Sequence, residues 1–420
     1  TIFFESSGGQ ERNEATLPEI RLAVGEPGLD IGNIETALEN LEKSCYYLHP
    51  RGTSYWISYR PNLNKILADR RARLSGPEAD EEVRNRVRQV IREAFRTRQQ
   101  VELRYFPESS ADIPDIPTLT LVVLAPEHSW ENTAREKTRH LVLDMIQNCG
   151  GRGRTYKSGL IFAVAEGGAQ LFDEARTLLA LESLEDPVER ERLKLEDPQL
   201  RELKEKKRRT EQNLKEGVWR VYRRVLFLGG DGNLQEVDLG LLHPSASESL
   251  TSLVISRFRQ EGLVEDAISP DFLVRNWPPA FEDWSTKSVR DAFFAAPQFP
   301  RLLQPEILRE TIARGVREGK FGYAIRTYGG YQGEVVIGDP DFSAEDVEIS
   351  EDAVILPREK ALALKKEPSI APPEPAPAPK AAEPPAHPLE PSHRPEVQMI
   401  PPIEVSRHRL SWEGELPWQK

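Results

Sequence analysis

The run Thr118-Leu119-Thr120-Leu121-Val122-Val123-Leu124 constrains this chain most. Its residues are almost continuously apolar or β-branched, as in a strand buried on both faces. Such a strand needs one layer above it and another below. The flanking sequence supplies them. A charged helix is expected from Asp80 to Arg98, with Val83, Val87, Val90, Ile91 and Phe95 as its buried stripe. Strand Val101 to Phe106, a helix from Glu131 to Asn148, strand Leu160 to Val164 and a helix from Ala169 to Leu184 follow. Strand, helix, strand, helix gives a small α/β layer with a parallel pair, within a module over residues 76–184.

Residues 1–75 read as a separate unit. Ile2-Phe3-Phe4 has the pattern of a strand, and Thr16 with Glu19 forms a capping box that opens a helix from Leu17 to Val24. Asp30 or Gly32 opens a second helix with Ile31, Ile34, Leu38, Leu41 and Cys45 on one face. Two β-type runs, Cys45–Leu48 and Tyr55–Tyr59, are joined by the turn residues His49-Pro50-Arg51-Gly52, and a helix from Asn62 to Arg73 closes the unit. Helix, helix, hairpin and helix is a winged-helix-like order.

Residues 185–216 carry ten basic and ten acidic side chains, so they read as a solvated helical arm without net charge, interrupted by Pro198. A hairpin follows, with strands Val218–Leu228 and Leu234–Leu239 around Gly229-Gly230-Asp231-Gly232-Asn233. Helices starting at Ser249, Ser269, Ser285 and Pro305 and a β segment at Phe321–Arg326 make residues 217–365 a hairpin plus helical or wing-like module. From Lys366 to Pro402 lie 13 of the 34 prolines, with few large apolar residues, the composition of a disordered linker. Residues 403–420 then read as the start of a further domain, and both ends of the chain read as cut. The expected fold class is mixed α/β and multidomain, of the α+β type.

Composition narrows the function. The net charge of −12 repels phosphate overall, so nucleic acid would need a local basic patch. No run reaches the roughly 18 apolar residues of a membrane span. Two cysteines exclude a disulfide framework and a cysteine-rich zinc site, and the seven histidines are scattered, so no metal site is expected. No membrane partner is expected, and the expected location is the cytoplasm.

Three segments invite a chemical reading. Gly150-Gly151-Arg152-Gly153-Arg154-Thr155-Tyr156-Lys157-Ser158 approaches a phosphate-binding loop, but Tyr156 takes the place of the second glycine and the segment precedes a strand, so the expectation is a basic, flexible connection. Glu127 and His128 follow the central strand, where α/β sheets place ligands, yet no nucleophile or second histidine accompanies them, and a polar turn is the better expectation. Arg51, Arg60, Lys65 and Arg70, interleaved with Tyr55, Trp56 and Tyr59, make a candidate nucleic-acid surface on the wing and last helix of the first unit. Against that reading, the helix placed to enter a major groove carries Asp30, Glu35, Glu39 and Glu42 against Lys43. Carboxylates at close range to phosphates are unfavourable, so packing is preferred to DNA binding.

Several stretches in order carry a resemblance: Ile2–Gly9, Tyr55–Leu67, Leu160–Val164 with the helix ending Ala180-Leu181, Trp284–Val289, Gly315–Tyr323 and Trp412–Pro417. They resemble the region following the ATPase core in the large prokaryotic "domain of unknown function four-nine-nine" family, predicted AAA+ P-loop ATPases associated with phage defence. The resemblance implies an accessory or lid region of an ATP-binding protein acting on or near DNA, with the Walker motifs outside this sequence. ATP and Mg would belong to that missing core and not to these residues. The resemblance implies the ATPase core of the same polypeptide as partner, with DNA and a DNA methylase or other defence-cluster proteins as further candidates. No catalytic, cofactor or metal residue carries over. The alternative is a stand-alone winged-helix DNA-binding adaptor without ATPase activity.

Overall fold

A computed structural model describes residues 1–366 except 8–12, 59–61, 194, 196 and 329; the remainder of the expected linker and residues 403–420 lie outside the described residues. The first unit runs α1 (Ile2–Ser7), β1 (Ala15–Thr16), α2 (Leu17–Val24), α3 (Ile31–Ser44), β2 (Leu48–Arg51), β3 (Ser54–Ile57) and α4 (Leu63–Arg73). The three strands form one sheet in the order β1-β3-β2. This is the chain path of a winged helix, with β1 paired to the last strand and β2–β3 as the wing. Thr16 and Glu19 make the expected capping box, and Asp30 accepts from Gly32 N to cap α3. A small core of Ala15, Ile20, Ile34, Leu38, Leu48 and Tyr55 holds the unit.

Three local expectations fail here. Cys45-Tyr46-Tyr47, expected as strand, is a turn that leads into β2 at Leu48. Ile2-Phe3-Phe4 is helical, because Ser6 Oγ donates back to Ile2 O at 2.7 Å and then accepts from Ile57 N at 2.8 Å. One hydroxyl thus closes the helical turn and satisfies the end of the wing. The expected turn His49–Gly52 is mostly strand: β2 contains His49-Pro50-Arg51, and the turn is Gly52-Thr53, with Gly52 at φ +60°. Proline is tolerated because β2 is an edge strand.

The central layer begins with α5 (Pro77–Phe95), whose expected stripe of Val83, Val87, Val90, Ile91 and Phe95 is buried throughout. Then come β4 (Glu102–Tyr105), β5 (Thr120–Val123) and α6 (Asn132–Gln147). A two-residue ladder joins β6 (Asn148–Cys149) to β7 (Arg152–Gly153), and β8 (Leu160–Val164) and α7 (Ala169–Glu185) follow. Strands β4, β5 and β8 are mutually parallel in register. Alternation along β5 serves both faces. Leu121 and Val123 pack toward α5 and α7, whereas Val122 and Leu124 pack toward α6 with Val142, Met145 and Ile146.

The charged stretch is not a free arm. It forms α8 (Pro187–Leu193) and α9 (Asp197–Val221), and Pro198 sits in the first turn of α9, where its missing N–H costs nothing. Leu203, Thr210, Leu214 and Val218 are buried along one face of α9, while Glu205 pairs with Arg208 and Arg209 on the outside. Val218 to Val221, expected as strand, end this helix.

The next hairpin, β9 (Arg224–Leu228) and β10 (Leu234–Asp238), does not open a new module. It pairs antiparallel to β8 and completes a five-stranded sheet in the order β10-β9-β8-β5-β4. Helix α10 (Leu250–Gln260) also belongs here, through Phe258 against Phe227 and the Thr251 hydroxyl, which donates to Phe95 O at 2.6 Å.

The last unit contains β11 (Val264–Glu265), α11 (Pro270–Arg275), β12 (Trp284–Ser285), α12 (Thr286–Ala295), β13 (Arg301–Leu302) and α13 (Ile307–Arg317). It ends with β14 (Phe321–Thr327), β15 (Gly330–Val336), β16 (Ala353–Pro357) and α14 (Arg358–Lys366). Ser249, Ser269 and Ser285, expected at helix starts, each accept a backbone N–H as N-cap. The sheet order β12-β16-β14-β15 repeats the path of the first unit: a short strand, two helices, then strands that return to pair with it. The fold is α+β, with a winged-helix-like unit on either side of the α/β layer in sequence. Helix α4 joins the first unit to that layer, as Leu63 and Ile66 pack on Leu181, Leu184 and Leu203.

Candidate functional site

The wing carries an aromatic and cationic column, with His49 and Trp56 half-buried and Arg51 exposed. His49 faces Trp56 across the β2–β3 ladder, and their rings stack at 5.2 Å with 19° between planes. Two residues along β2, the Arg51 guanidinium sits 4.8 Å from the centre of the same indole. Arg51 is well exposed and only 4.0 Å from Glu14. The other candidates do not join it. Lys65 pairs with Asp69 on its own helix at 2.6 Å, and Arg70 pairs with Glu189 of α8. Arg60 and Tyr59 lie outside the described residues.

A cleft of about 380 Å³ separates the wing from the start of α9, lined by His49, Arg51, Trp56, Asn64, Pro198 and Glu202. Glu202 places a carboxylate in the same cleft as Arg51, which works against a phosphate strand there. On α3, Glu35 and Glu39 are exposed, and Glu42 with burial raises the Tyr55 phenol above its ordinary value. The groove-facing helix is therefore acidic in the folded protein as in the sequence.

The carboxyl end of the parallel strands is closed by its own loops. A Cβ at Gly168 would lie 2.8 Å from Pro126 O, and one at Gly167 would lie 2.8 Å from the Glu131 carboxylate. Glu127 pairs with Arg84 at 3.8 Å, and burial lowers the His128 imidazole below its ordinary value. These two residues form a turn, with His128 N donating to Ala125 O at 2.9 Å, and no acid–base pair is assembled.

At the same end, Glu166 accepts from Arg223 and Arg224 and is held below the ordinary carboxylate value, chiefly by the Arg223 hydrogen bond. A depressed folded pKa contributes stability above the unfolded value that is lost as pH falls through the folded one. Urea titrations at neutral pH and below pH 4.5, the ordinary glutamate value, should show a steeper acid loss in the wild type than in Glu166→Gln. Equal slopes would remove Glu166 as a source of acid sensitivity.

The Gly150–Ser158 segment is not a phosphate cradle. Thr155 N and Tyr156 N both donate to the Asp115 carboxylate at 2.9 Å, so the amides that would bind phosphate are occupied. Arg154 is 3% exposed and donates to the carbonyls of Met145, Pro114, Ser110 and Ile113. Tyr156, where a glycine would be needed, packs on the core of the last unit. The segment does not fit a nucleotide; it joins the central sheet to the second winged-helix-like unit.

No protein-family model, curated protein or solved structure matches the chain. Function must therefore be argued from its surfaces. Among the described residues, ten of the seventeen exposed large hydrophobics fall within the first 57, which marks this unit as an adhesive surface. Leu22 is 86% exposed and Phe4 76%, with Phe3, Val24 and Ile31 also on α1, α2 and the start of α3, and Leu29 in the α2–α3 connection. Of the stripe expected on α3, Ile34 and Leu38 are buried, whereas Ile31 and Leu41 are exposed. Among the described residues no helix is long and apolar enough to cross a membrane, and no cluster of metal-ligating side chains forms.

Proposed function

We propose that the chain is the accessory region of an ATP-binding, AAA+-like protein, and that its N-terminal winged-helix-like unit docks on the ATPase core of that protein. The observation that carries this reading is the apolar surface of α1, α2 and the α3 start beside the acidic face of α3. Apolar residues in that number suit burial against protein, and the adjoining carboxylates select a basic partner surface and oppose phosphates. In this reading ATP and Mg belong to the core, ATP adds contacts to one arrangement of core and accessory region, and hydrolysis removes them. Action on or near DNA and an association with defence-cluster proteins such as a methylase are proposed on the family resemblance alone.

The coding frame upstream of Thr1 tests the first part. A strand followed by a phosphate-binding loop supports the proposal, and a start codon directly before Thr1 overturns it. Leu22→Glu combined with Phe4→Glu tests the second. Both side chains are exposed, so stability should change by less than about 0.5 kcal/mol each, while binding to the upstream core expressed separately is lost. Retained binding would place the contact elsewhere. The column of His49, Trp56 and Arg51 favours the second reading, a DNA-binding adaptor. That reading requires affinity for duplex DNA that falls steeply with salt and weakens in Arg51→Ala.

A further inference from the structure

Two arginines are buried among the described residues, and they are treated in opposite ways. Arg154 spends its guanidinium on four carbonyls, with Asp115 at 4.0 Å. Arg301 on β13 is equally buried, at 3% exposure, yet no carboxylate among the described residues pairs with it. Its Nη2 donates to Leu228 O, its guanidinium lies 4.9 Å from the centre of the Phe227 ring, and its Nε is buried without a hydrogen-bond partner. Burial pushes its pKa down to about 10, which still leaves it cationic at neutral pH. A buried charge without a counter-ion is strongly unfavourable, and this chain has 68 acidic residues from which to supply one. The missing partner is the signal.

Arg301 lines a cavity of about 460 Å³ between the β9–β10 hairpin and the last unit. That volume falls within the range of small-molecule sites, which favour junctions between modules. Phe227, Ile268, Phe272 and Phe299 give the cavity apolar walls. Arg275, exposed at the end of α11, is a second lining cation, and its Nε reaches only Asp271 O of its own helix. Glu265, the one carboxylate of the lining, makes no ion pair with either arginine.

We propose that this cavity binds a small organic anion, a carboxylate or phosphate ester with an aromatic or aliphatic body, whose charged group completes Arg301. A guanidinium fork matches either oxyanion, and the phenylalanines receive the apolar body. Bound there, the ligand would touch both the sheet hairpin and the second winged-helix-like unit and favour the arrangement in which the two close on it. This inference does not depend on the ATPase reading.

The test is calorimetry and thermal denaturation of the full chain with phenyl phosphate, benzoate, inorganic phosphate and benzamide. Phenyl phosphate or benzoate, whichever source the pocket takes, should bind at least about tenfold more tightly than neutral benzamide and inorganic phosphate and should raise Tm. Arg301→Met should abolish the rise in Tm, and Arg275→Gln should weaken binding. Equal affinity for acid and amide, or for inorganic phosphate and its phenyl ester, overturns the proposal. So does an undiminished Tm response in Arg301→Met. Should that variant not fold, the acid-against-amide comparison in the wild type decides alone.

Discussion

Arg154→Met is expected to lower the unfolding free energy by about 3–5 kcal/mol, the range found when one partner of a buried charged network is removed. The reason lies in how many groups depend on one side chain. Nε donates to Met145 O at 2.8 Å, Nη1 to Pro114 O at 3.0 Å, and Nη2 to Ile113 O at 2.9 Å and Ser110 O at 3.2 Å. Methionine fills similar volume but leaves those carbonyls without donors, at about 1–3 kcal/mol for each one that water cannot reach. Asp115 would lose the cation beside it while keeping its bonds from Thr155 N and Tyr156 N. Arg154→Lys should fall between the two, because one ammonium with three donors cannot replace a fork that serves four carbonyls. Urea unfolding of the three proteins measures the series, and a loss below about 1 kcal/mol for the methionine variant would show that water reaches these carbonyls.

The same substitution at Arg301 is expected to behave differently. There the methionine removes a charge that no carboxylate among the described residues pairs with, and among those residues only Leu228 O loses a donor. Equal burial and identical chemistry thus lead to different outcomes, decided by the acceptors around each guanidinium. Nothing in a sequence reports that difference. In sequence Arg154 reads as one cation of a basic connection and nothing singles out Arg301, because burial of a charged residue is set by tertiary packing.

What could be read in advance followed from patterns with a physical period. The α5 stripe, the two-faced β5 run and the capping box at Thr16 and Glu19 all form as expected, since each is fixed by neighbours within a few residues. Helix α9 shows where this fails. Ten charges of each sign obscure a stripe of Leu203, Leu214 and Val218 at helical spacing, which is the side that the helix buries. The hairpin β9–β10 joins the central sheet and not the module that follows it, because local sequence specifies the turn but not the strand it joins. The candidate cavity is illegible for a related reason: Phe227 of β9, Phe272 of α11 and the Phe299–Arg301 segment meet only in the folded chain.

Gly315→Ala is expected to destabilise the last unit by about 1–3 kcal/mol, although alanine is the better helix former. A Cβ at this position of α13 would lie 2.1 Å from Phe321 Cζ and 2.5 Å from Cε1. Phe321 is fully buried on β14, so its ring has no open side to move toward. Helix α13 cannot lift away freely either, because Lys320 N donates to Gly315 O at 2.9 Å and Gly338 N to Val316 O at 2.8 Å. Helix propensity returns only about 1 kcal/mol, which is too little to offset an overlap of this size. The disturbance should also reach the cavity. Thr311 and Arg314 of α13 both donate to Ile268 O, and Ile268 lines the space beside Arg301. Loss of stability in Gly315→Ala should therefore come with weaker binding of phenyl phosphate. Gly151→Ala, where a Cβ meets open space, should change neither. Thermal denaturation and calorimetry of both variants read the two effects together. A stable Gly315→Ala protein with weakened binding would separate the cavity from the packing of α13, whereas a destabilised one with full affinity would show that Ile268 is held by the rest of its loop.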